Sequence, residues 1–264
     1  MPTTNLLNAL ALFSLIPAAA IPLRHGAGRD TAFWACIALA VAGPAAWSAQ
    51  LIWGAWSTGL GTTLWVSIAA SALLFALFAA RTHSGWRLAP LLMPYLLVLG
   101  FLASAFRVEA PPLSATVPQV WVDVHIVVSV LTYALLTLAA VASLAVFLQE
   151  RALKHKKPTR LTRMLPAVLE SETMAGRLLV ASEVVLGLGL ATGMATQFLE
   201  SGHLLRFDHK ILLSIVAFVL IGVLLTGHRV CGVRGRLAAR VVLMAYLLLT
   251  LAYPGVKFVT QVLN

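Results

Sequence analysis

Histidine is the residue type in this chain best suited to chemistry, and its placement sorts the seven copies into two groups. His25, His83, His155 and His228 stand among arginines and lysines, where a solvated imidazole beside positive charge is the expected state. His125, His203 and His209 stand instead near the ends of long apolar runs, with Asp123 two residues before His125 and Asp208 next to His209. A neutral imidazole is a good ligand for heme iron or zinc, and a neighbouring carboxylate can fix its tautomer. Two histidines at one membrane depth on separate helices could hold one iron from opposite sides. The competing reading is that each anchors a helix end among lipid headgroups. Glu183 is the one acid well inside an apolar run, a default site for function, with pairing to Arg177 as the structural explanation. No HExxH, GxSxG or phosphate-loop pattern occurs, nor a cluster of paired carboxylates, so the chain is not expected to be an enzyme.

The elements that position these residues are membrane spans. Sixty per cent of the 264 residues are hydrophobic and 11% are charged, with a mean hydropathy of +0.93. Soluble domains carry about 45–50% apolar and about 25% charged residues. An all-α integral membrane protein follows, a single transmembrane domain over 1–264 with about eight helices near 5–21, 31–52, 60–80, 88–106, 123–149, 177–199, 208–227 and 237–262. The first run has no basic segment before it and reads as a span rather than a signal peptide. Of the 19 Lys and Arg, all but Arg107, Arg206, Lys210 and Lys257 fall in the loops after the first, third, fifth and seventh spans. The positive-inside rule then puts those loops in the cytoplasm and both termini on the extracytoplasmic side. The net charge of +10 is thereby explained by loop bias, and no nucleic-acid partner is expected. Cys36 and Cys231 form no CxxC and are expected to stay unpaired.

The stretch Trp121–Glu150 organises the rest. Stepping by helical intervals from His125 gives Ser129, Thr132 or Tyr133, Leu136, Ala139 or Ala140, and Ser143, a small and mildly polar face. The sixth span carries Gly189-x-x-x-Gly193, which lets another helix approach closely or leaves room for a flat macrocycle. Trp47, Trp53, Trp56 and Trp65 read as an interfacial belt. The absence of inverted repeats weakens a transporter reading.

Trp121-Val122-Asp123-Val124-His125, with Ser129, Tyr133 and Leu148-Gln149-Glu150-Arg151, resembles the cytochrome c assembly protein family. Thr192-Gly193, Asp208-His209-Lys210, Gly227-His228-Arg229 and Ala252-Tyr253-Pro254-Gly255 extend the likeness, which is strongest to the CcsA/HemX-like members of YpjD type. It covers residues 120–262 well, and the half before 106 by hydropathy alone. The resemblance implies a multi-pass bacterial inner-membrane protein that binds or handles heme at the outer face during cytochrome c biogenesis, with His125 matching a heme-ligating histidine. In heme-delivering members a tryptophan-rich WWD segment follows the sixth span; here the segment reads QFLESGHLLRFDHK, without tryptophan, and no second outward histidine follows Tyr253. His209, with Asp208 and His203 beside it, is the expected substitute. The alternatives are an accessory subunit that holds another membrane protein through its basic loops, and a small-solute or ion transporter using Glu183.

Overall fold

A computed structural model describes residues 2–23, 28–53, 59–106, 118–201, 209–255 and 258–259. It is helical, with no strand among the described residues. The helices are α1 (Pro2–Ala19), α2 (Thr31–Ile52), α3 (Leu60–Arg81), α4 (Ala89–Ala105), α5 (Gln119–His155), a short α6 (Arg160–Met164), α7 (Val168–Ser201), α8 (His209–Val230) and α9 (Gly235–Thr250). Seven helices among the described residues are long and apolar enough to cross a membrane. The eighth expected span, 237–262, is α9 continued by a π-helical turn, Leu251–Gly255, whose Pro254 has no N–H to keep the α-helical ladder going.

α5 is the central post. Its 37 residues make it about 55 Å long, well beyond the roughly 30 Å hydrocarbon layer. Residues 132–143 are buried without interruption, so every face of α5 is covered at mid-height. α7 lies along it more extensively than any other pair of helices, and α3 and α9 close the remaining sides. The helix stops at Lys156, which adopts a left-handed conformation (φ 53°) and donates its N–H back to the last turn. Gln149, near that end, donates through Nε2 to the carbonyls of Thr162 and Pro166 at 2.8 and 3.0 Å, which fastens the basic connection to the post.

The amino-terminal half packs around polar residues that satisfy one another. Trp65 is 1% exposed, and its indole N–H donates to Asn8 Oδ1 at 3.1 Å, while Asn8 Nδ2 donates to Ser104 Oγ at 3.0 Å. One asparagine thus joins α1, α3 and α4. The interfacial tryptophan belt is therefore only partly present. Trp53 is 85% exposed, but Trp47 and Trp65 are buried in the bundle, and Trp56 lies outside the described residues. The two halves meet through hydroxyls: Tyr246 of α9 donates to Tyr133 of α5 at 3.1 Å, and Thr137 donates to Tyr246 at 3.2 Å. Tyr95 of α4 hydrogen-bonds Tyr246 as well. Buried hydroxyls on three helices that bond to one another fix the relative height of those helices, since sliding one would break the contacts of the others.

Candidate functional site

The antiparallel order places the start of α5, the end of α7 and the start of α8 at one end of the bundle. His125 belongs there. Its ring lies against Gly193 of α7, so closely that a Cβ on that glycine would stand 3.0 Å from His125 Cε1. One turn back, Gly189 faces Val128 and Thr132 of α5. The glycine pair therefore serves helix approach, and the space left by the missing Cβ atoms is filled by α5 side chains rather than kept for a macrocycle.

Hydrogen bonding holds the histidine ring against α7. His125 Nδ1 lies 3.1 Å from Thr192 Oγ1. Thr192 Oγ1 also lies 2.9 Å from the Leu188 carbonyl and 3.1 Å from the Gly189 carbonyl. A hydroxyl has one hydrogen, and carbonyls only accept. Where Thr192 donates into its own helix, its oxygen accepts from His125, an arrangement that places the neutral imidazole's proton on Nδ1. The lone pair is then on Nε2, the atom a metal would use. Asp123 plays no part in this: it accepts from Gln119 Nε2 at 3.0 Å on the exposed side of α5.

His209 opens α8 and is exposed. α8 packs on α9 and α7, while α5 and α8 are not laid along one another among the described residues. The two histidine-bearing helix starts thus flank the end of α7. His203 and Asp208 lie outside the described residues. No group of three or more His, Cys, Asp or Glu that could hold a bare metal ion occurs among the described residues, so a zinc site is not supported there. A heme needs only one or two axial donors, and His125 fits that requirement by donor chemistry.

Two other sequence candidates resolve differently. Glu183 makes no ion pair with Arg177 among the described residues; Oε2 is buried without a hydrogen-bond partner, and Oε1 faces Gly222 of α8. Its packing is explained by the missing side chain at Gly222, not by charge. His228 is more than a solvated imidazole. Nδ1 lies 2.8 Å from the Val233 carbonyl, which can only accept, so Nδ1–H closes the turn between α8 and α9. Cys36 and Cys231 are free. A cavity of about 510 Å³ lies between α5, α7, α8 and α9, but at the opposite end from His125. Gly176 on its wall is roughly 25 Å along α7 from Gly193.

A helical membrane bundle with a histidine hydrogen-bonded between helices at one end and arginines at the other is the class these observations define. The chain belongs to the cytochrome c assembly protein family, whose model matches residues 53–264. It is 59% identical over 259 residues, 96% of both chains, to an Azospirillum brasilense protein described as an uncharacterized 28.8 kDa protein in nifR3-like 5'region. It is also 31% identical over 186 residues to the inner membrane protein YpjD of Escherichia coli K12, covering 70% of this chain and 68% of that one. No solved structure matches.

Proposed function

We propose that this protein binds heme at the extracytoplasmic end of its bundle and handles it during cytochrome c biogenesis in a bacterial inner membrane, without catalysing a reaction of its own. Family membership supports the process, and a relative's name, inner membrane protein, supports the location. Loop charge supports the sidedness, with both termini outside and eight crossings once α9 and its continuation are counted. The single observation that carries the heme reading is the Thr192–His125 hydrogen bond, which, where Thr192 donates into its own helix, leaves Nε2 with a free lone pair.

His125 would hold the heme iron through its imidazole, and Thr192 is a positioning residue that holds its ring. His209, at the start of α8, would be the second histidine to hold it, with Asp208 and His203 just before it in the sequence. Heme itself supplies the redox-active iron and the vinyl groups that a c-type cytochrome takes up. The chain's own contribution would be to bind it by imidazole at this end of the bundle and release it to a partner. The short connection at that end and the absence of a tryptophan-rich platform favour exchangeable ligation.

A deletion strain tests this. Its c-type cytochromes, read by heme staining, should fall and recover with the wild-type chain but not with His125→Ala. Recovery by His125→Ala at equal abundance refutes the heme role. A second reading, an accessory subunit gripping another membrane protein, rests on the exposed Lys154, Lys156 and Lys157 where α5 overshoots the hydrocarbon layer. That reading predicts failure with these lysines neutralised and normal function with His125→Ala.

A further inference from the structure

At the basic end of the bundle, most acids and several arginines already have partners. Arg236 Nε pairs with Glu150 at 3.5 Å, Glu172 accepts the Gly235 N–H at 2.8 Å, and Arg160 and Arg29 donate to the Leu23 and Ala80 carbonyls. Arg177, Arg229 and Arg234 are different. They come from α7, α8 and the turn before α9, they line one cavity of about 510 Å³, and among the described residues none of their side chains has an ion pair or hydrogen bond. Glu172 is the acid on the cavity wall, and its carboxylate is engaged with the Gly235 backbone. His228 lines the cavity too, with Nδ1 committed to Val233 and Nε2 left over. Deeper in, the wall is apolar: Leu179 and Val180 of α7, Leu224 and Leu225 of α8, and Ala239 and Val242 of α9.

We propose that this cavity is a binding site for an anionic phospholipid of the leaflet that faces the basic loops. The phosphate would sit among Arg177, Arg229 and Arg234, and one acyl chain would run between α7, α8 and α9. Three arginines, from α7, α8 and the turn before α9, lining one cavity match a phosphate, which accepts several charge-assisted hydrogen bonds at once. The apolar depth behind them has no use for a free anion, whereas an acyl chain matches it. Its volume lies within the usual range of ligand sites, about 300–1,000 Å³. Cationic pockets between membrane helices on that side are where acidic headgroups gather. The site is independent of the heme reading, since it lies at the other end of α7.

The test uses the full chain in mild detergent, with thermal stability and native mass spectrometry as readouts. Phosphatidylglycerol, phosphatidylcholine and inorganic phosphate are each added. Phosphatidylglycerol should raise the melting temperature and remain bound in the mass spectrum, and the other two should not. Arg177→Gln, Arg229→Gln and Arg234→Gln should each weaken that lipid's apparent affinity by about fivefold, and a Lys154→Gln/Lys157→Gln chain should bind as wild type does. Val242→Trp, which fills the apolar depth and leaves the arginines in place, should also abolish retention. Equal protection by phosphatidylcholine, or by inorganic phosphate alone, overturns the proposal. So does equal loss in the lysine control, which would mean a diffuse surface charge effect.

Discussion

Replacing Thr192 separates the chemistry of His125 from its mere presence. Thr192→Val keeps the side chain's size but removes the oxygen that accepts from Nδ1 at 3.1 Å. The half-buried Nδ1 then loses its Thr192 partner, a loss of about 1 kcal/mol for a neutral hydrogen bond, or roughly fivefold in the population of the competent ring position. Loss of a second partner behind a metal-ligating histidine typically costs about 10–100-fold in affinity, so heme binding should weaken by about tenfold. Thr192→Ser restores the oxygen and should bind within about twofold of wild type. The assay is a hemin titration followed at the Soret band in detergent, with thermal unfolding as the check on folding. The carbonyls of Leu188 and Gly189 stay in the helix ladder in either variant, so the loss of stability should stay at about 1 kcal/mol. A valine variant that binds as well as wild type, or a serine variant as weak as valine, refutes the positioning argument.

Further consequences concern the scaffold. Tyr246→Phe removes the hydroxyl shared by Tyr133, Thr137 and Tyr95 and should cost about 1–3 kcal/mol in thermal unfolding; an unchanged melting temperature would mean the cluster does not hold the halves in register. Gly235 has φ +65° and a Cβ there would meet the Glu150 carboxylate, so Gly235→Ala should cost about 1–2 kcal/mol and loosen the Glu150–Arg236 pair. Glu183→Gln removes charge from a carboxylate whose Oε2 has no partner, so stability should hold or rise. A marked loss of stability, or a liposome flux abolished by this change, would favour a functional carboxylate and the transporter reading.

The spans were legible because an apolar run long enough to cross a bilayer is hard to read otherwise. Their ends were less so. The fifth span, expected over 123–149, runs from Gln119 to His155, and the sixth, expected from 177, begins at Val168. Hydropathy marks the hydrocarbon layer, while the helices continue into the polar zone on caps and packing. The short α6 was missed although Thr159 and Thr162 form a reciprocal cap, a signal the basic run around it obscured. Close approach at Gly189 and Gly193 was readable from spacing. What it admits, the ring of His125, was not, because Thr192 is 67 residues away from that histidine in sequence. The burial of Trp65 and the tyrosine cluster were hidden for the same reason: Asn8 lies 57 residues from Trp65, and Tyr246 lies 151 from Tyr95. Unpaired arginines around one cavity were equally unreadable, since loop charge alone looks like sidedness.

The visible absorption spectrum of the protein isolated from its own membranes, wild type beside His125→Ala, bears most directly on the central claim. A Soret band present in the wild type, or formed on adding hemin, and lost in the variant is the predicted result. A wild-type spectrum that stays featureless with hemin in excess, or a variant spectrum identical to a heme-loaded wild type, contradicts it.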